Sequence, residues 1–492
     1  MATSGEPRLL YYGWTQPRSS GMFGSTSTAT YVALGVAIVN LTLFMPSLPG
    51  WVRLLQFLIS GAILVPLVVS SGGKSWWEII LATKDRGKQK SAGENEYRSG
   101  SGTKIPSTLL PGIMAGSKVT EHRTSNNKTF ALIRVGRFYT VVIRVFPQGS
   151  EWVDQGRFDS WVASFGQLTT TIGQAPDVEA ITAVLASVPE SAQRLASQYE
   201  RQVDPKANAI AREILWQAAF EVRCAEVRNE GWISITFDSD QGMRRRDTQE
   251  QSQEIARRLP RILDVIEYAG LPCRPMSKRE VTAIARRSYS PADELDIETA
   301  LLTDEPLGFD WSDAGPMAAS DKRGYYLHDS GKSISHVMDK APASAIDSRV
   351  LVDLGQARAE LPRKRMTIVY RPHTPAESTK IVDQDYIDAQ KAVTSRVGRT
   401  PEAAKLKVAA TKKAREEQAL GAGVTRFSTI VTVTIPTDGD LAKAETLLGD
   451  LGIASRMTMK PATNQQAAAF AGSLGLGLNL PSHVSVSERL AA

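Results

Sequence analysis

Apolar residues follow two different patterns along the chain. From Ala29 to Ser70 they run almost without interruption, and from about Phe130 onward they alternate or recur at helical spacing. Ala29–Leu48 is twenty residues with no formal charge, about the length an α-helix needs to cross a hydrocarbon core of ~30 Å. Pro46, Pro49 and Gly50 break the run, Trp51 follows, and Leu54–Ser70 is a second apolar run of seventeen residues. The first run shows no polar stripe of the kind a helix on a soluble core carries, and no small-residue cleavage site follows it. The pattern predicts a transmembrane helical hairpin over 29–70, after a cytoplasmic leader (1–28) and before a juxtamembrane linker (71–120). In the leader, Tyr11, Tyr12 and Trp14 suit either a lipid headgroup level or a cap on the body.

Beyond the linker the period changes. Phe130–Val135 and Phe138–Phe146 read as strands around Gly136-Arg137, a type II′ turn with Gly in first place. Phe158, Trp161, Val162, Phe165 and Leu168 mark a helix over about Asp154–Ile172. Asp177–Val188 alternates as a strand, two helical stretches follow at about 190–203 and 206–227, and Gly231–Asp238 is again a strand. Gln249–Tyr268 predicts a helix and Leu271–Met276 a short strand. Strands over Arg365–Arg371 and Arg426–Ile435 flank a polar helical pair in 375–420, broken at Thr400-Pro401, where Thr suits an N-cap and Pro the first helical position. A helix over Leu441–Leu451 and a strand over Ile453–Lys460 complete the second series. The fold class predicted is α+β, with two ferredoxin-like modules (121–290 and 346–480) that carry helical-hairpin inserts. A connecting segment (291–345) lies between them and a tail (481–492) follows.

Charge changes the reading of the basic composition. Residues 1–90 hold eight Lys or Arg against three acids, which accounts for +5 of the +6 net charge. The excess therefore flanks the apolar runs rather than forming a nucleic-acid surface, and by the positive-inside rule places both termini and the body in the cytoplasm. No direct nucleic-acid site is evident. Two cysteines, Cys224 and Cys273, are too few for a disulfide framework.

Candidate chemistry is sparse. Gly72-Gly73-Lys74-Ser75 fails as a phosphate loop because Val68 stands where the first glycine is needed, and Trp76-Trp77 reads as an interfacial anchor. The five histidines show neither H-E-x-x-H nor Cys–His spacing. His328-Asp329-Ser330 brings three catalytic residue types together, but a triad needs them distant in sequence and converged in space, so a turn with a hydrogen-bonded His is the expectation. Arg244-Arg245-Arg246 and Arg363-Lys364-Arg365 read as solvated basic loops. The expectation is no enzyme, no cofactor and no metal. An interaction segment is centred on Trp311, Tyr326, His328 and Asp329, and the polar inserts (190–227 and 375–420) are candidate contact surfaces.

Several stretches resemble, in order, an actinobacterial family of integral membrane proteins from conjugative-element and type IV secretion-like gene clusters. They include Tyr97-Arg98-Ser99-Gly100, Leu110-Pro111-Gly112, Tyr139-Thr140-Val141-Val142, Val153-Asp154-Gln155 and Trp161-Val162-Ala163. Further along are Trp311 with Ala314-Gly315-Pro316, His328-Asp329-Ser330-Gly331, Arg363-Lys364-Arg365, Tyr370-Arg371-Pro372, Gly423 with Arg426-Phe427, Gln465 to Phe470 and Leu474-Gly475-Leu476. The family is similar to a fusion of the small two-helix inner-membrane subunit with the N-terminal, non-motor half of the conjugation ATPase. The resemblance implies an oligomeric scaffold in the inner membrane that touches lipid and other transfer-apparatus subunits and docks a separate P-loop ATPase. A subunit of a type VII secretion complex is the alternative, and a membrane-bound enzyme with a site near His328 a third reading.

Overall fold

The computed structural model describes residues 10–12, 14, 27–41, 49–68, 70–71, 74–75, 83–84, 87, 90–91, 93, 95–147, 149, 153–190, 199, 203–204, 206–220, 227–240, 246–342, 344–394 and 402–483. Most of the leader, the helix expected at 190–203, Trp76-Trp77, Arg244-Arg245, the break at Thr400-Pro401 and most of the tail lie outside these residues. The chain forms two compact units, one of residues 15–96 and 480–492, the other of residues 1–14 and 97–479.

In the smaller unit, helices α1 (Ser27–Leu41) and α2 (Gly50–Val68) pack on each other, followed by a two-residue ladder between β1 (Ser70–Ser71) and β2 (Lys74–Ser75). Two polar side chains tie the helices together: Asn40 Nδ2 donates to Ser60 Oγ at 2.8 Å, and Gln56 Nε2 donates to the Val39 carbonyl at 2.6 Å. Apolar side chains face outward all round, and Tyr31, Ile38, Trp51, Leu54, Phe57 and Leu58 are each more than half exposed. Two packed helices thus stand where the hairpin is expected. Among the described residues, no helix is long and apolar enough to cross a membrane. Helix α1 is described over Ser27–Leu41, and residues 42–48 of the expected first span lie outside the described ones.

The larger unit is α+β, built on one antiparallel sheet of thirteen strands among the described residues. Its strands are β3 (Glu96–Arg98), β4 (Lys118–Arg123), β5 (Thr129–Val135), β6 (Phe138–Val145), β7 (Val178–Pro189), β8 (Val227–Asp238) and β9 (Cys273–Pro275). The series continues with β10 (Ala318–Asp321), β11 (Tyr326–His328), β12 (Gly331–Lys340), β13 (Lys364–Pro372), β14 (Thr425–Pro436) and β15 (Thr458–Pro461). The spatial order is β3-β10-β11-β12-β14-β13-β7-β8-β6-β5-β4, with β9 beside β6 and β15 beside β12.

This order contains an internal duplication. Strands β6 to β9 lie in the order β9-β6-β8-β7, and β12 to β15 in the order β15-β12-β14-β13. Numbered along the chain, each set of four is arranged 4-1-3-2, and each is preceded by an antiparallel hairpin, β5–β6 or β11–β12. The second strands of the two sets, β7 and β13, pair with each other from Ile181↔Tyr370 to Ala186↔Arg365, so the two halves share one sheet. Helices α3 (Gln155–Gly173) and α5 (Thr248–Tyr268) join the strands of the first half, and α4 (Ala209–Phe220) lies in its insert. In the second half the first helical connection shrinks to α8 (Val352–Gly355). Helices α9 (Pro375–Thr394) and α10 (Glu402–Ala419) form the insert, and α11 (Leu441–Ala454) joins β14 to β15. Helices α6 (Lys278–Tyr289) and α12 (Gln466–Ser473) follow the last strand of each half, with α7 (Glu294–Thr303) after α6.

Local sequence fixes the helix starts. The Asp154 side chain accepts from the Arg157 amide, capping boxes pair Asp247 with Glu250 and Ser277 with Glu280, and Asp440 caps α11. Each such cap stabilises by about 1 kcal/mol. In the β5–β6 turn Gly136 has φ +61° while Arg137 is not left-handed, as a type II′ turn requires. Alternation along β5 explains the layers: Phe130 and Leu132 enter one core, Ala131 and Ile133 the other. The first core lies under α3 and α5, where Ile255, Leu259, Ile262 and Ile266 share one helix face, each burial contributing roughly 1.5–3 kcal/mol. The opposite core gathers α6 and α12 around Trp232, Tyr289 and Phe470, and a third, under α11, joins Val431, Val433 and Leu448.

Three expectations differ from this arrangement. Residues 291–345 are no mere connection: they contribute β10, β11 and β12, the last being the first strand of the second set. The segment expected as a linker packs into the body near its end, with Ser99, Leu110 and Met114 buried. Ile453 lies in the last turn of helix α11 rather than starting a strand, because Leu448, Leu451 and Gly452 remain on the buried helical face and Arg456 then turns left-handed (φ +54°) before β15.

Candidate functional site

A deep apolar concavity of the larger unit lies where the two halves meet. Strands β13 and β14 supply its floor, since Ile368 pairs with Thr429 and Tyr370 with Phe427, all four residues lining the space. Helix α3 supplies a wall through Phe158, Trp161, Val162 and Phe165, a spacing that keeps them on one helix face. The segment between β12 and β13 adds Ile346, Val350 and Leu351, and the leader adds Tyr11 and Trp14. The enclosed volume is about 540 Å³, in the range of small-ligand and anchor-residue pockets. Phe165 and Tyr370 are in tilted ring contact at 5.6 Å. Gly270, at φ +81°, leaves the Trp161 edge clear; a Cβ there would come within 3.3 Å of the indole.

Hydrogen bonds hold the rim. Ser348 Oγ donates to Asp159 Oδ1 at 2.5 Å, Gln155 Nε2 donates to Ser348 Oγ at 2.8 Å, and Arg349 donates to Gln155 Oε1 and the Val153 carbonyl. The Arg349 guanidinium also lies over the Phe158 ring at 5.0 Å. These bonds fasten the second half to the first turn of α3. The leader is tied in as well: Tyr11 and Ile346 exchange backbone hydrogen bonds of 2.8 and 2.9 Å. Of the two expectations for the aromatic leader cluster, Tyr11 and Trp14 thus follow the cap on the body. Burial pushes the Tyr370 phenol up to about 12 and, with the Asp159 charge as a smaller cause, raises that of Tyr11. Both are neutral hydroxyls at ordinary pH. The arrangement can hold an apolar or aromatic group and offer it a few hydrogen bonds.

The predicted interaction segment has a different character. Trp311, Tyr326 and His328 are 5%, 3% and 0% exposed, so their rings face the interior and offer no surface to a partner. Trp311 Nε1 donates to Ser117 Oγ at 3.0 Å. His328 sits among Tyr289, Tyr326 and Phe470, its ring 4.8 Å from that of Phe470. Its Nδ1 donates to the Tyr289 carbonyl at 2.6 Å, which leaves Nε2 to accept from Ser333 Oγ at 2.8 Å; Ser333 in turn meets Thr434 Oγ1 at 2.8 Å. Burial lowers the imidazole to about 4, against the Tyr289 bond, which raises it. Asp329 points elsewhere: at φ +28° its carboxylate accepts from the Met317 and Ala318 amides and faces Arg286 at 3.4 Å. Ser330 Oγ accepts from the Ala292 amide. Three residues adjacent in sequence thus serve three separate structural bonds, as expected of a hydrogen-bonded turn.

The triplet Arg363-Lys364-Arg365 is not a solvated loop. It opens β13, and Lys364 and Arg365 are 2% and 9% exposed. Lys364 Nζ donates to the Gln356 carbonyl at 2.5 Å, and burial lowers it to about 8. Arg363 pairs with Glu294 at 2.8 Å. Around it runs a buried ionic network: Arg144, Arg228 and Arg287 surround Glu230, Arg287 also meets Glu294, and Arg228 also meets Glu190 and Glu298. Burial alone would raise the Glu230 carboxyl, but its guanidinium partners, Arg287 foremost, hold it well below the usual carboxylate range. The residues of this network are scattered from 144 to 363, with no local spacing to announce them. The groove had a signal, the aromatic face of α3, which periodicity assigns to the core with equal ease.

Among the described residues no group of His, Cys, Asp and Glu could hold a metal ion. A family model described as a domain of unknown function, DUF8461, matches residues 18–78, a minor part of the chain that takes in α1 and α2. No curated protein matches the chain.

Proposed function

We propose that the chain is a membrane-anchored scaffold subunit of a conjugative, type IV secretion-like transfer apparatus, which docks a separate P-loop ATPase at the cytoplasmic membrane. In this reading the α1–α2 hairpin seats in the lipid, its outward apolar side chains meeting acyl chains or neighbouring apparatus subunits. The body lies on the cytoplasmic side. Each half is read as a ferredoxin-like unit, on the 4-1-3-2 strand order, with the α9–α10 pair as the helical-hairpin insert of the second.

The observation that carries the reading is the groove between the halves. Aromatic walls with hydrogen-bonding groups at the rim suit an apolar anchor residue of a partner, the arrangement from which binding hot spots are built. The test is affinity purification of the full-length chain in mild detergent, with the neighbouring P-loop ATPase co-expressed. The wild type should retain the ATPase, and Val350→Trp, which fills the groove, should lower its recovery at least tenfold while Val350→Ala does not. A wild-type chain that elutes alone would overturn the reading.

A further inference from the structure

Arg365 stands at the junction of the halves, on β13, facing α6 of the first half and α12 of the second. Its Nε donates to Ser473 Oγ and its Nη1 to Ser288 Oγ, both at 3.1 Å, and its guanidinium lies over the Phe470 ring at 5.3 Å. Nη2 is buried and has no hydrogen-bond partner. Among the described residues no carboxylate pairs with it. The acids nearby are taken: Glu294 accepts from Arg287 through one oxygen and from Arg363 through the other, and Glu230 is shared by Arg144, Arg228 and Arg287.

The charges around this point do not balance. Among the described residues, five guanidinium groups (Arg144, Arg228, Arg287, Arg363, Arg365) and the buried Lys364 ammonium, which lines the same void, face four carboxylates (Glu190, Glu230, Glu294, Glu298). Among these the balance is positive, and Arg365 is the guanidinium without an acid. A buried, uncompensated ion is strongly unfavourable. A small void of about 30 Å³ opens beside it, lined by Arg287, Arg363, Arg365, Ser288, Glu294 and Thr432 among others. That volume holds one water or one ion of similar size.

We propose that this void is a binding site for a single small monovalent anion, of the halide class, held by Arg365 Nη2. The anion offsets the surplus charge, gives Nη2 an acceptor, and fastens β13 to α6 across the junction of the halves. A water molecule would supply an acceptor and leave the charge uncompensated. Burial and the nearby Arg287 lower the Arg365 guanidinium to about 9, which leaves it charged at neutral pH and able to hold the anion there.

The experiment uses the full-length chain in detergent, unfolded by heat in sodium chloride, sodium bromide or sodium gluconate at equal ionic strength. Linkage to a bound anion makes the midpoint climb steadily with each tenfold of chloride or bromide, while gluconate, too large for the void, lacks this slope. Arg365→Met should lose the halide dependence. Equal slopes in chloride and gluconate, or an unchanged slope in Arg365→Met, would overturn the proposal. Because that variant removes a buried group and can fail to fold, a second measurement uses the wild type alone, as bromide anomalous scattering from crystals. A peak within hydrogen-bond reach of Nη2 supports the site; a water alone at that position overturns it.

Discussion

The Trp232 indole donates to the Leu474 carbonyl at 3.1 Å, linking the middle of β8 to the stretch that follows α12. Its neighbours repeat the device. Thr367 Oγ1 donates to the Ser473 carbonyl at 2.6 Å and Ser234 Oγ to that of Gly475, so three successive carbonyls at the end of a helix are met by side chains of the sheet. Carbonyls at a helix C-terminus have no partner within the helix, and here they are buried. Trp232→Phe keeps most of the apolar contact and leaves the Leu474 carbonyl without its donor. It should cost roughly 1–3 kcal/mol, read as a lower denaturant midpoint with unchanged slope; an unchanged midpoint would contradict the role given to this bond.

Gly315 lies against the chain at Leu109. Its amide donates to the Thr108 carbonyl at 2.8 Å, and a Cβ would overlap the Leu109 carbonyl. Gly315→Ala must push two backbones apart and is expected to destabilise by more than about 3 kcal/mol. Gly324→Ala, where a Cβ meets open space, is the control and should stay within about 0.5 kcal/mol of wild type. Thermal midpoints of the two variants compare them directly.

The pH dependence follows from His328, held neutral by burial with its folded value lowered to about 4. The unfolded chain binds a proton at about 6.5, so between these values it carries more protons than the folded chain. Stability is full above about 6.5 and falls as pH drops towards 4, by up to roughly 3 kcal/mol from this residue. Burial likewise lowers His122, His336 and His373, which adds in the same direction. Urea midpoints across this range should show a steep decline in the wild type and a shallower one in His328→Gln.

Arg287 is the hub of the ionic network, meeting both Glu230 and Glu294 while itself buried. Removing one member of a buried pair strands the other charge, at a cost of about 3–5 kcal/mol. Arg287→Met should show that loss in chemical denaturation. Arg257→Met, at an exposed pair with Glu254, should leave the denaturation midpoint close to that of the wild type.

Much of the fold was legible because its signals are local. Strand alternation, the type II′ turn at Gly136-Arg137, and the polar helices on either side of Thr400-Pro401 are set by residues close in sequence, and the two series of elements emerge from them. Helix α6 has a weak periodic signal although Ser277 and Glu280 form a capping box, because its apolar face is made of Val281, Ile284 and alanines rather than large residues. Strand β12 has a weak signal because three of its buried positions, Ser333, Ser335 and His336, are polar, and Ser333 and Ser335 are satisfied only by Thr434, Thr432 and Gln466. The groove and the Arg365 void lie further from reach. Each is closed by residues more than a hundred positions apart, and a surplus charge becomes visible only when its neighbours are known.

The pairing of β7 with β13 bears on any attempt to divide the chain. Within the sheet each is the outermost strand of its own set of four, and each hides the other's open row of amides and carbonyls. Cut between the halves, either fragment would display a long, apolar, unpaired strand, which is a template for association with further copies. The two fragments should therefore be insoluble when made separately and recover a soluble complex when made together, so that the seam behaves as a recognition surface the molecule reserves for itself.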